Sequence, residues 1–110
     1  MVRAVLLSVI TVVLVGVFIL AGMTQGTTAP ASGEQLFKEN CVSCHVGGGN
    51  ILNKQMPLKG SSDLKTFVAF LTQIRKPQQP MPSFPPSKIS DKQARGLYDY
   101  ILRQEKTGWK

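Results

Sequence analysis

The run Cys41-Val42-Ser43-Cys44-His45 sets two thiols three positions apart, with a histidine directly after the second. This spacing matches the motif by which a c-type haem is covalently attached. On a helical turn Cys41 and Cys44 share a face at i and i+3, so their sulfurs can meet the two vinyl groups of one porphyrin. His45 then points its imidazole at the iron, and it is the single histidine of the sequence. Other uses of such a run fit less well. A structural zinc site needs about four ligands, and no second Cys/His pair is present to complete one. A thioredoxin-type dithiol sits in a βαβ pattern that this chain lacks. A plain disulfide in an exported domain accounts for the thiols but leaves His45 without a role.

Upstream of this run the chain changes character. From Ala4 to Met23 there is no charge, and only Ser8 and Thr11 are clearly polar. As a helix this stretch is about 30 Å long, enough to cross the hydrocarbon core of a bilayer. Arg3 precedes it and no charge follows until Glu34, so the positive-inside tendency leaves everything after Met23 outside the cytoplasm. A secretory signal peptide has the same polarity, and Ala29-Pro30-Ala31 offers small residues for cleavage. Signal peptides have apolar regions of about 7–15 residues, so length favours a retained transmembrane helix. The expected organisation is an N-terminal anchor (or signal peptide) over 1–23, a flexible linker over 24–31 and a haem domain over 32–110. Either way the haem domain is exported, to the periplasmic or the thylakoid-lumen side of its membrane.

With 110 residues in all, the folded unit from Ser32 to about Arg103 is too short to fill a stable core by itself. A buried haem supplies the missing apolar mass. Ser32-Gly33-Glu34-Gln35 reads as a capping box opening a first helix, with Gly33 and Phe37 on one face. Gly47-Gly48-Gly49 lets backbone lie close against something flat, with the haem as the expected neighbour and a flexible turn as the plainer reading. Ser61-Ser62-Asp63 is expected to open a second helix whose stripe is Leu64, Phe67, Val68, Leu71 and Ile74, closing at Arg75-Lys76 before Pro77. Ser90-Asp91-Lys92-Gln93 is a second capping box, followed by Ala94, Leu97, Tyr98, Ile101 and Leu102 on one stripe. Gly96 in this helix predicts a close crossing with Gly33 and Phe37. The end, from Glu105 to Lys110, reads as a frayed tail, with Trp109 alternatively resting at a membrane or docking surface.

The segment Pro77-Gln78-Gln79-Pro80-Met81-Pro82-Ser83-Phe84-Pro85-Pro86-Ser87 holds five of the seven prolines. Proline lacks an amide donor and fixes its own φ, so neither helix nor central strand is open to it. It could serve as a spacer or a ligand for an SH3-like partner. In a haem protein it has another use: a stiff loop holds Met81 as the sixth iron ligand at reduced ordering cost. Met56 competes, but it follows His45 by only eleven residues and would have to round the porphyrin edge quickly.

Cys-x-x-Cys-His after a short Gly-x-x-x-Phe helix, then Met81-Pro82-Ser83-Phe84 and a last amphipathic helix with Tyr100-Ile101, resembles the class I monohaem cytochromes c. Within that class the hydrophobic N-terminus, the short haem domain and the Met-Pro-Ser-Phe-Pro-Pro stretch are most similar to the cytochrome cM group of cyanobacteria. The resemblance implies an all-α fold of three to four helices around one covalent haem c, preceded here by a single transmembrane helix. It implies thioether bonds at Cys41 and Cys44 and axial ligation by His45 and Met81. It also implies that the other nitrogen of His45 donates to a backbone carbonyl, Pro57 being the nearest proline to supply one.

An electron carrier between redox complexes, rather than an enzyme, follows from that ligand set. Beyond Arg3 the chain has twelve basic against six acidic side chains, a formal +6. Such an excess favours an acidic docking patch, as on an oxidase or photosystem component, or an anionic lipid surface. Nucleic acid is not an expected partner, because no motif accompanies the charge, and the haem domain is expected to be monomeric. Two other readings use the same residues: a gas sensor or peroxidase in which Met81 is displaced, and a fixed haem relay in a larger complex. With His45 unique, no distal histidine assists peroxide chemistry.

Overall fold

A computed structural model of the chain describes residues 29–110. The expected anchor over 1–23 and most of the linker over 24–31 lie outside the described residues. Within them, no helix is long and apolar enough to cross a membrane. There are three α-helices, α1 (Gly33–Asn40), α2 (Phe67–Arg75) and α3 (Asp91–Thr107), with two single 3-10 turns at Val46–Gly48 and Ser62–Leu64 between α1 and α2, and no strand among the described residues. The all-α expectation stands at three helices.

Each helix begins where a side chain satisfies an otherwise orphaned amide. The Ser32 hydroxyl accepts from the Gln35 amide at 3.1 Å. The capping box expected there is only half formed, because the Gln35 side chain donates to Glu39 one turn on instead of reaching back. At α3 both halves are made: Ser90 Oγ accepts from Gln93 N, and Gln93 Oε1 accepts from Ser90 N. The start of the second helix differs from expectation. Ser61 caps only the 3-10 turn, and α2 opens at Thr66, whose hydroxyl accepts from the Ala69 amide at 3.1 Å. The buried face differs from the expected stripe at two positions. Phe70 and Ile74 are buried, Phe67 and Leu71 pack against them, and Val68 is 73% exposed.

The core joins Leu36 and Phe37 of α1, Phe70 and Ile74 of α2, and Ala94, Leu97, Tyr98 and Ile101 of α3. Phe84 and Ile89, from the proline-rich connection, complete it. The crossing of α1 and α3 is as close as the glycines suggested, with an asymmetry. A Cβ on Gly33 would lie 2.1 Å from the Gly96 carbonyl oxygen, whereas one on Gly96 would meet nothing within 4 Å. Gly33 is therefore the residue that the contact requires. Tyr98 spans the other side of α3, its hydroxyl donating to the Leu64 carbonyl at 2.8 Å.

The frayed-tail reading of the C-terminus is corrected. Helix α3 continues to Thr107, and after it Trp109 folds back onto Phe37, with ring centroids 5.7 Å apart. The indole N–H donates to Glu105 at 2.7 Å, and the other oxygen of that carboxylate accepts from the Gly60 amide at 3.0 Å. An aromatic ring with an apolar neighbour and a hydrogen-bond acceptor in reach gains more by packing than by fraying.

Candidate haem site

The turn from Cys41 to His45 follows α1 directly. Cys41 N donates to the Phe37 carbonyl and His45 N to the Cys41 carbonyl, both at 2.9 Å. Continuing the last turn of α1 in this way presents both thiols and the imidazole to one cleft of about 520 Å³. Its far wall comes from the proline-rich connection, with Pro80, Met81, Pro82 and Phe84, and its floor from Leu64, Phe70 and Ile74. Cys41, Cys44, His45 and Met81, separate in sequence, thus line one space.

The imidazole is oriented. His45 Nδ1 lies 2.8 Å from the Gly49 carbonyl oxygen. A carbonyl can only accept, so Nδ1 carries the proton and Nε2 keeps its lone pair for a metal. The partner is Gly49, not Pro57: the 3-10 turn after His45 brings Gly49 round at i+4, while Pro57 lines the cleft without this bond. Of the three glycines, Gly48 lies against a flat ring of the chain itself. Gly47 and Gly48 have positive φ, 58° and 74°. The flat surface against Gly48 is the Trp109 indole, which a Cβ there would meet at 2.5 Å.

Both competing methionines line the cleft, in different settings. Met56 is 57% exposed. Met81 packs against the core, its amide held by Gln78 O at 3.1 Å and its sulfur 3.8 Å from the Gln73 side-chain nitrogen. Burial, with Cys44 adding to it, pushes the Cys41 thiol up to about 12, so at neutral pH it is held as the uncharged thiol. Two free cysteines, an imidazole with its metal-binding nitrogen available, a thioether lining the same cleft and apolar core residues beside it are a donor set that fits a covalently bound haem.

Gln73 and Arg75 escaped the sequence reading, as did the roles of Gly49 and Trp109. Gln73 lies on α2 and Arg75 at its end, where a polar side chain ordinarily faces water. The one available signal was proximity in sequence to Met81.

Comparison with known proteins agrees with this geometry. Residues 28–101 match the family model described as cytochrome c oxidase, cbb3-type, subunit III. Cytochrome c6 of Cyanidioschyzon merolae is 36% identical over 83 residues, which cover 72% of this chain and 78% of that one. Cytochrome c6 of Thermosynechococcus vestitus is 30% identical over 107 residues, covering 91% and 94%. The structure of cytochrome c6 from the diatom Phaeodactylum tricornutum superposes with a TM-score of 0.60 at 28% identity, over 70% of this chain and 94% of that one. The chain belongs to the class I monohaem c-type cytochromes of the cytochrome c6-like kind: it carries one covalent haem c and is an electron carrier, not an enzyme.

Proposed function

We propose that the chain is a membrane-anchored carrier of single electrons between redox complexes, its haem held by thioethers at Cys41 and Cys44 and ligated by His45 and Met81. The observation that carries this reading is the meeting of all four side chains in one cleft, with Met81 half-buried and its sulfur beside Gln73 while Met56 is exposed. Bound haem supplies a one-electron ferric/ferrous couple. The protein's part is to keep both axial positions closed and water out, so that no small molecule finds an open coordination site. Gly49 orients His45 from one side, and the proline-rich loop stiffens Met81 on the other.

The charge-free segment 4–23 supports retention at the membrane, with the haem domain on the periplasmic or lumenal side. That segment and the Met81-Pro82-Ser83-Phe84-Pro85-Pro86 stretch also support placing the chain with the cytochrome cM group. Net charge of +7 suits a redox partner with an acidic docking patch, such as an oxidase or photosystem component. The match to the cbb3-type oxidase subunit model favours one second reading, a haem relay fixed within a larger complex. Stoichiometric partners retained after mild solubilisation distinguish it from a free carrier.

The test is the absorption spectrum of the full haem-loaded chain in mild detergent, oxidised and reduced, with and without carbon monoxide. A low-spin spectrum with a weak long-wavelength sulfur-to-iron band, lost in Met81→Ala and unchanged by carbon monoxide, is the expected result. A high-spin or carbon-monoxide-sensitive spectrum in the unaltered chain overturns the His/Met assignment. The mass of the mature chain in washed membranes shows whether residues 1–23 are kept.

A further inference from the structure

Between the end of α2 at Arg75 and the start of α3 at Asp91 the chain has no regular secondary structure, yet this stretch carries Met81. Its anchorage converges on one residue. The Arg75 guanidinium donates through Nη1 to the carbonyls of Phe84 and of Ile89, the latter at 2.8 Å, and through Nη2 to Asp91 Oδ1 at 2.6 Å. The backbone beside it takes part as well. Ser83 Oγ donates to the Arg75 carbonyl at 2.7 Å, and the Phe84 amide to the Ile74 carbonyl at 2.8 Å.

The Arg75 side chain is only 16% exposed, whereas Asp91 is 71% exposed. The salt bridge itself is therefore a minor part, and the two carbonyl contacts are the part removed from water. A guanidinium suits them because its planar fork presents several donors in fixed directions, which an ammonium cannot do.

We propose that Arg75 is a positioning residue for the sixth ligand: it clasps the strap 83–91 to the end of α2 and so holds Met81, two residues upstream of the strap, closed over the iron. The proposal rests on the His/Met reading above. A thioether is a weak neutral ligand, so the closed state depends on how little the loop gains by opening. Loosening the strap raises the population in which Met81 has left the iron, while the α1–α3 crossing at Gly33 and Gly96, which lies away from Arg75, stays folded.

The experiment uses the full haem-loaded chain in detergent and compares Arg75→Lys, Ser83→Ala and Asp91→Asn with the unaltered protein. Read out are the sulfur-to-iron band of the oxidised form, the rate at which the reduced form combines with carbon monoxide, and the urea midpoint of far-UV dichroism. Loss of the guanidinium fork that serves two buried carbonyls predicts a rise in the carbon monoxide rate of about tenfold or more in Arg75→Lys. Ser83→Ala, losing one neutral bond, predicts roughly a two- to tenfold rise. Asp91→Asn, at the solvent end, predicts a change within about twofold. The band should weaken in the same order at urea concentrations where helix content is unchanged.

An Arg75→Lys protein that is folded, with band and carbon monoxide rate equal to those of the unaltered chain, overturns the proposal. So does an opening that follows the global urea midpoint across the series, because that is the signature of general destabilisation. If Arg75→Lys does not mature with haem, Ser83→Ala decides by the same two readouts. If the unaltered chain itself lacks the band, or keeps it in Met81→Ala, the ligand assignment fails first and the clasp with it. A normal band in the unaltered chain with no response in either variant removes the clasp alone.

Discussion

At Gly33 and Gly96 the space around a single hydrogen atom decides whether two helices can touch. Gly33 has the Gly96 carbonyl oxygen where its Cβ would be, so Gly33→Ala must push α1 away from α3. Overpacking of that kind costs about 1–3 kcal/mol. Gly96→Ala places a methyl in open space and removes a flexible residue from a helix interior, which stabilises by roughly 0.5–1 kcal/mol. Urea midpoints of the two haem-loaded variants should therefore move in opposite directions. Gln73 acts at the same scale on the haem. With Met81 as the proposed ligand, the Gln73 amide nitrogen near its sulfur would draw electron density from the lone pair that a ferric iron needs most. Gln73→Leu should stabilise the oxidised form and lower the reduction potential, as measured by potentiometric titration, without loss of the sulfur-to-iron band.

At the scale of the element, α2 shows how a cap selects a start. Two capping residues lie within six positions, Ser61 and Thr66, and both accept from a backbone amide. Thr66 opens the nine-residue helix, so Thr66→Ala should cost about 1 kcal/mol, with a smaller loss for Ser61→Ala, which ends only a single turn. Chemical unfolding of the haem-loaded variants checks the ranking. Within α2 Phe70 is buried and Val68 is exposed. A helix counted from Ser62 and one counted from Phe67 contain the same apolar residues, and only the neighbouring elements select which of them face inward.

For the whole molecule the haem cleft is a missing part of the core. Leu64, Phe70 and Ile74 line it from the core, and residues of two irregular loops close it in. By contrast, the α1–α3 pair has contacts of its own, at Gly33 on Gly96 and in the Phe37, Tyr100 and Trp109 cluster. A Cys41→Ala/Cys44→Ala chain made without haem should lose cooperative unfolding and much of its far-UV helix signal. Amide exchange should then find residual protection in α1 and α3, and little in residues 50–60 and 76–87. Equal loss across all three helices would contradict this division of the core.

How much of this was legible beforehand follows from the range of each interaction. Cys41, Cys44 and His45 are a local spacing, the Ser90 capping box closes within one turn, and five prolines bar regular structure from the connection that carries Met81. Such codes act over a few residues, and the sequence by itself determined the haem motif, the all-α class, the last helix and the Met81 loop. The inward face of α2, the packing of Trp109 on Gly48 and the gathering of the strap by Arg75 are set by the tertiary structure. Each depends on which distant backbone carbonyl or ring arrives beside a side chain once the helices have crossed. An arginine at a helix end and a tryptophan near a chain end read locally as solvent-facing or frayed, and only the arrival of carbonyls from residues 84 and 89, or of a glycine turn at residue 48, makes burial the lower free energy.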